Sequence, residues 1–209
     1  MENGCREILA TTATFFLALT IAIAVGASIT DGFQSFTLES ARRMEALRAP
    51  RDVEHLRLET LEQGQTTLGE FAGRWVLVDF IYTRCETLCV SLGSVYARLQ
   101  QRLSAEIVTG KVQLLSVSFD PEHDGPSELA AYRARHVKSA SGWMLGRASP
   151  NETPAWLERF GVVAIPDGLG GFAHNAAIHV VSPDGRLRAI LDWDDPEAAV
   201  RFVQNAERL

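Results

Sequence analysis

Cysteine is scarce in this chain, with three among 209 residues, at positions 5, 85 and 89. Three cysteines cannot staple a small secreted scaffold, but they leave room for one redox or metal pair and one bystander. Positive charge is also short. The chain has 20 Lys and Arg against 26 Asp and Glu, a formal net charge of −6. That balance argues against a non-specific nucleic-acid binder, which carries a basic surface. Repeats and low-complexity tracts are absent, and the composition is otherwise ordinary, which excludes disordered and collagen-like chains. No GxGxxG occurs: the glycine-rich stretch Gly168-Leu169-Gly170-Gly171 lacks that spacing and a long helix after it, so a phosphate cradle is unsupported. What the chain does have is 46% hydrophobic residues, enough at this length for one domain with a real core plus an appendage.

The longest hydrophobic run is Ile8 to Ile29, which carries no charge. A bilayer core takes about 20 apolar residues in a helix, so residues 1–30 read as an N-terminal transmembrane anchor. Arg6 and the free amine precede the run, which keeps that end cytoplasmic and exports the rest. The expectation is a single-pass inner-membrane protein whose soluble domain faces the periplasm. A cleaved signal peptide is the rival, because Val25-Gly26-Ala27 offers small residues before a cut. The run exceeds the usual apolar region of about 7–15 residues in such peptides, which favours the anchor. Cys5 lies ahead of the run and reads as a reduced bystander. Residues 31–52 read as a linker or stalk, with Phe36, Leu38, Met44 and Leu47 at helix-compatible spacing before Pro50.

The remainder, 53–209, alternates strands and helices. Trp75 to Tyr82 and Val112 to Phe119 are β-branched, apolar runs fit for buried strands. Between them Leu88, Leu92, Val95, Leu99 and Leu103 lie near one helical face. Pro126, Thr153-Pro154 and Asp195-Pro196 open further helices, the last running to Leu209. Trp143 to Leu145 suits a short strand. Ala176 to Val181 and Leu187 to Leu191 are strands joined by the turn Ser182-Pro183-Asp184-Gly185-Arg186. Alternation of this kind implies a parallel sheet, and the terminal hairpin adds antiparallel strands. The fold class is therefore α/β, a thioredoxin-like domain with a central mixed sheet flanked by helices. Trp75, Trp143, Trp156 and Trp193 are expected in its core.

Chemistry concentrates where the first strand gives way to its helix, at Thr83-Arg84-Cys85-Glu86-Thr87-Leu88-Cys89. Active loops in open α/β sheets lie beyond the carboxyl ends of strands. Cys85 and Cys89, four apart, share one helical face with Cβ atoms roughly 5–6 Å apart, wide for a disulfide that wants about 3.8 Å. A metal ion between two sulfurs tolerates that gap, and thiolates suit Cu(I) or zinc. The helix amino end and Arg84 should favour the thiolates, with Glu86 opposing. Among five histidines, His174 sits just ahead of a strand expected to run antiparallel to the cysteine-bearing one, and so at the same end of the sheet. Two thiolates and this imidazole would make a trigonal copper site. His123 ranks a distant second, His179 should pack or face solvent within its strand, and His55 and His136 look like surface residues. Asn151-Glu152-Thr153 reads as a turn and helix cap.

Three segments together resemble the Sco/SenC family over roughly residues 55–195. They are Tyr82-Thr83-Arg84-Cys85-x-x-x-Cys89 after a hydrophobic strand, Val117-Ser118-Phe119-Asp120-Pro121-Glu122-x-Asp124, and His174 nine residues before Pro183-Asp184-Gly185. The resemblance implies a membrane-anchored, thioredoxin-fold copper protein that helps assemble the binuclear copper centre of cytochrome c oxidase. It implies copper ligation by Cys85, Cys89 and His174, and a supporting role for Asp120. Glu86 and Val90 stand where many members have Pro, Ala173 where Asp often precedes the distal His, and Gly125 where Thr is common. Loss of the acidic neighbour implies a less firmly oriented ring.

Two functions follow. In the first, a copper metallochaperone holds a copper ion on these three residues and passes it to the oxidase subunit bearing that centre. In the second, a thiol:disulfide oxidoreductase attacks with Cys85 and resolves with Cys89, reducing the oxidase's copper-site cysteines or other exported disulfides. A copper donor or a thioredoxin-like reductant would be a further partner. A peroxidase reading fails because the PxxxTxxC pattern is not met, and no signalling domain supports a sensor.

Overall fold

The computed structural model describes residues 2–29, 37–85, 88–137, 139 and 141–206. The chain divides into two compact units, Met1–Glu45 and Ala46–Leu209.

In the first unit, the uncharged run is helical throughout, in α1 (Glu2–Ile29). Phe15, Phe16, Leu17, Ile21, Ile23 and Val25 are exposed along it. Among the described residues, however, no helix is long and apolar enough to cross a membrane, which leaves the expected transmembrane span without support there. Side chains of α1 are described over 12–28. Thr12, Thr14, Thr20, Gly26 and Ser28 dilute the hydrophobicity of that stretch. The side chain of Cys5 lies outside the described residues. The stalk contains a helix, α2 (Leu38–Arg48), begun by Glu39, which pairs with Arg42 at 2.6 Å and Arg43 at 2.8 Å. Residues 30–36, with Phe36, lie outside the described residues.

The second unit is built on one eight-stranded sheet. Its order is β1 (Arg51–Asp52), β10 (Arg186–Leu191), β9 (Ile178–Val181), β4 (Trp75–Ile81), β5 (Val112–Ser118), β6 (Trp143–Arg147), β2 (Arg57–Thr60) and β3 (Gly64–Thr67). β4, β5 and β6 are parallel and the other pairings antiparallel. β5 is buried at every position and β4 at all but Trp75, as a sheet covered on both faces requires. α3 (Leu88–Arg102) and α5 (Pro126–His136) cover the face carrying Asp79. α6 (Thr153–Phe160) covers the other, where Phe80 meets Trp156 and Phe160 at 6.2 and 5.1 Å between ring centroids. α4 (Ser104–Val108) follows α3, and α7 (Pro196–Ala206) packs on α3 and β9. Positions 207–209 lie outside the described residues.

The mixed, thioredoxin-like sheet agrees with the sequence reading. Trp143 and Trp156 are buried as expected, while Trp75 and Trp193 are only half-buried. The short strands β1 to β3 escaped it because they are polar and four residues or fewer, so no apolar run marks them. A second, two-stranded sheet was also unforeseen: β7 (Ala164–Pro166) pairs antiparallel with β8 (Phe172–His174), and the glycine-rich stretch forms its tip.

Register decides where the site lies. β9 pairs antiparallel with β4 through Val78↔His179 and Val76↔Val181. The chain entering β9 therefore arrives at the carboxyl end of β4, where the cysteine segment begins. His179 itself is buried, its Nδ1 3.2 Å from the Val78 carbonyl. One glycine guides the chain toward that end: Gly161, at φ 66°, caps α6 in the left-handed conformation and lets Val162 N–H bond the Leu157 carbonyl at 2.7 Å. Gly161→Ala is expected to lower the stability by about 1 kcal/mol in urea unfolding, the usual penalty for a Cβ at positive φ.

Candidate metal and thiol site

β4 delivers Tyr82, Thr83, Arg84 and Cys85 in a turn closed by a Cys85 N–H bond to the Tyr82 carbonyl at 3.2 Å. A buried carboxylate holds that turn from below. Asp124 accepts the Thr83 N–H at 3.0 Å, the Thr83 hydroxyl at 2.6 Å and the Ser118 hydroxyl at 2.5 Å. Burial raises its pKa, and the Ser118 and Thr83 donors oppose the rise. Asp124→Ala strands these donors in the interior and is expected to lower stability by roughly 2–4 kcal/mol in denaturant unfolding. Unchanged stability would show that the turn needs no such latch.

Asp120, assigned a supporting role, is buried and accepts from Arg84 at 2.7 Å, with His123 Nδ1 at 2.8 Å. The Arg84 guanidinium therefore neutralises a carboxylate, and the expected thiolate stabilisation does not emerge at Cys89. Burial pushes the Cys89 thiol far above the ordinary thiol range, and neighbouring Cys85 adds to the rise. Loss of hydration outweighs the helix terminus here. Glu86 and Thr87 lie outside the described residues.

The two cysteines are not joined in a disulfide. The Cys89 N–H donates to Cys85 Sγ at 3.3 Å, and Cys89 Sγ stands 3.7 Å from His174 Nε2. His174 Nδ1 is 3.2 Å from the Asn175 carbonyl. A neutral ring donates its Nδ1–H there and leaves the Nε2 lone pair turned to the sulfur. Burial keeps the imidazole pKa below its ordinary value, with the Asn175 contact opposing. Aromatic walls hold it. Phe119 and Tyr82 lie 5.1 and 6.0 Å from its centroid, and Phe172 contacts both at 5.3 and 5.4 Å. Asn175 pins this corner by accepting the Val163 N–H at 2.7 Å and donating to the Gly161 carbonyl at 3.2 Å.

This donor set suits a soft metal. For metal–sulfur and metal–nitrogen bonds of about 2.3 and 2.0 Å, a trigonal angle separates the two donors by about 3.7 Å, the spacing found between Cys89 and His174. Cys85 Sγ, also buried, accepts the Cys89 N–H at 3.3 Å. Among the described residues, no group of three or more His, Cys, Asp or Glu side chains is already gathered tightly enough to hold a metal ion.

Comparison with known proteins gives the family. The sequence profile of SCO1/SenC matches residues 52–206. The chain belongs to the SCO1/SenC family. A "SCO1 protein homolog" of Bacillus subtilis (strain 168) is 30% identical over 139 residues, covering 65% of this chain and 71% of that protein. The structure of Bradyrhizobium japonicum ScoI with copper bound matches at TM-score 0.62 and 22% identity, covering 75% of this chain and 97% of that one. BsSco, described with a disulfide switch and as a member of the Sco family of cytochrome c oxidase assembly proteins, matches at TM-score 0.66 and 25% identity, over 77% and 96%.

For this SCO1/SenC member, sequence reasoning named three residues, and the structure places all three at one end of the sheet, with Cys89 and His174 in direct contact range. His174 closes β8 instead of lying in a loop. Its ring is oriented by the Asn175 carbonyl and the aromatic walls, with Ala173 directly before it. His123 is exposed and bound to Asp120. His55 is exposed as expected. His136 is half-buried instead of fully exposed: its Nε2 is buried, and its ring lies 5.0 Å from Tyr132 and 6.3 Å from Trp143. Asn175 and the latch role of Asp124 were missed. An Asn directly after the histidine was the one available signal, and it is too common a pairing to act on.

Proposed function

We propose that this SCO1/SenC protein is a copper metallochaperone, taking one copper ion on Cys85, Cys89 and His174 and passing it to the binuclear copper centre of cytochrome c oxidase during assembly. The single observation that carries this reading is the 3.7 Å approach of a buried cysteine sulfur to an imidazole nitrogen. Copper-bound Bradyrhizobium japonicum ScoI supports copper as the ion, and the description of BsSco supports the oxidase as recipient. A copper ion so placed leaves by ligand exchange, its thiolates replaced one at a time by the acceptor's. The N-terminal run would anchor the protein in the inner membrane with the soluble domain in the periplasm. The exposed apolar side chains of α1 support that arrangement.

The test is transfer. Copper-loaded protein mixed with the metal-free soluble copper domain of an oxidase subunit is expected to produce that centre's optical spectrum. His174→Ala should load less copper and yield proportionally less product. Absence of transfer from a fully loaded protein would reject the delivery role.

A thiol:disulfide oxidoreductase remains the second reading, favoured by the Cys89 N–H contact to Cys85 Sγ, which holds the first sulfur against the turn of α3 that carries the second. In that reading metal-free protein reduces a model disulfide, and His174→Ala leaves the rate unchanged.

A further inference from the structure

The last turn of α5 grips the cysteine segment on both flanks. Tyr132, fully buried, donates its hydroxyl to the Cys89 carbonyl at 2.5 Å. Arg135 Nη2 donates to the Thr83 carbonyl at 3.3 Å, and its guanidinium lies 5.4 Å from the Tyr132 ring centroid. His136 completes the grip. It packs so closely on Gly93 of α3 that a Cβ there would fall 2.3 Å from its Nε2. One helical turn thus holds main chain before Cys85 and after Cys89.

We propose that Tyr132 and Arg135 form a clamp that sets the spacing of Cys85 and Cys89 and opposes their closure into a disulfide. A relaxed disulfide brings Cβ atoms to about 3.8 Å, and the two cysteines, free here, sit on separate pieces of main chain, the turn after β4 and the first turn of α3. Closure draws one piece toward the other, and hydrogen bonds that tie the Thr83 and Cys89 carbonyls to one turn of α5 resist that movement. Tyr132 and Arg135 touch neither sulfur in this role; they are positioning residues. The clamp stands whether or not the protein carries copper. Its use, keeping the thiols open for a metal, rests on the copper reading.

The test uses reduced, metal-free, full-length protein equilibrated with mixtures of glutathione and glutathione disulfide. In this exchange one glutathione S–S bond breaks and one protein S–S bond forms. Two electrons pass to glutathione sulfur, and the two cysteine protons end on two glutathione thiols. Tyr132→Phe is expected to shift the equilibrium toward the protein disulfide by roughly fivefold, the weight of one ordinary hydrogen bond. Arg135→Ala, altered at an exposed side chain and free of core disruption, should shift it the same way by a smaller factor. Tyr96→Phe is the control: it removes a buried hydroxyl on α3 that has no hydrogen-bond partner, and should leave the equilibrium in place. An unchanged equilibrium in both Tyr132→Phe and Arg135→Ala, or a shift toward the dithiol, would overturn the clamp. Copper binding by the wild type is measured separately, so failure of the copper reading registers without touching this result.

Discussion

Cys89→Ser is expected to reduce the affinity of the reduced protein for Cu(I) by on the order of 10³-fold or more, and Cys85→Ser to have a comparable effect. Serine is nearly isosteric but offers a hard, protonated oxygen, and a soft monovalent ion gains little from it. Loss of either sulfur leaves one thiolate and one imidazole, too few donors to displace the ion's other ligands. His174→Ala should act differently. It removes the only nitrogen donor of the three and should weaken Cu(I) by about 10–100-fold and Cu(II), the harder ion, by more. Competition against a chelator of known affinity measures all three variants. Equal retention of Cu(I) by Cys89→Ser and the wild type would mean that the ion sits elsewhere.

The second large effect concerns Asp79, buried at the centre of β4, with neither carboxyl oxygen in a hydrogen bond. Ser116, its register partner on β5, opposes the effect of burial: its hydroxyl accepts Trp143 Nε1–H at 2.9 Å and keeps its own O–H to turn toward Asp79. Burial raises the Asp79 pKa from 3.8 to about 7. The folded protein therefore holds a proton that the unfolded chain releases near pH 4. This group costs nothing below pH 4, costs progressively more as pH rises, and reaches its full cost above about pH 7. At 1.36 kcal/mol per unit the loss is about 4 kcal/mol, an upper figure because interiors relax around a charge. Asp79→Asn removes the ionisation at nearly constant shape. Its urea midpoint is expected to exceed the wild type's at pH 8 and to match or fall below it at pH 4.5. Parallel pH profiles for the two proteins would show that Asp79 does not titrate in this range.

What the sequence made legible follows from periodicity and burial. β4 and β5 announce themselves because both faces of each are covered, leaving uninterrupted apolar runs. His174 could be placed beside the cysteines from strand direction alone, since an antiparallel strand must begin where its neighbour ends. The β7–β8 hairpin that carries His174 was hidden: three-residue strands with Pro166 and exposed Ile165 look like loop. Arg84 misled for a related reason. Its charge was visible but its partner Asp120, brought in by the β4–β5 pairing, was not. The depth of Cys89, which reverses the expected thiolate preference, depends on how α3 and α5 pack. His136 was misjudged likewise, because a residue ending an amphipathic helix looks solvent-facing until Gly93 opposite it makes room.

The most direct test of the central claim, that two sulfurs and one imidazole converge on a single ion, is X-ray absorption spectroscopy of the reduced full-length protein loaded with one equivalent of Cu(I). Two sulfur scatterers and one imidazole, with the imidazole lost in His174→Ala, is the result expected. A spectrum without imidazole in the wild type, or an unchanged spectrum in Cys85→Ser and Cys89→Ser, would contradict it.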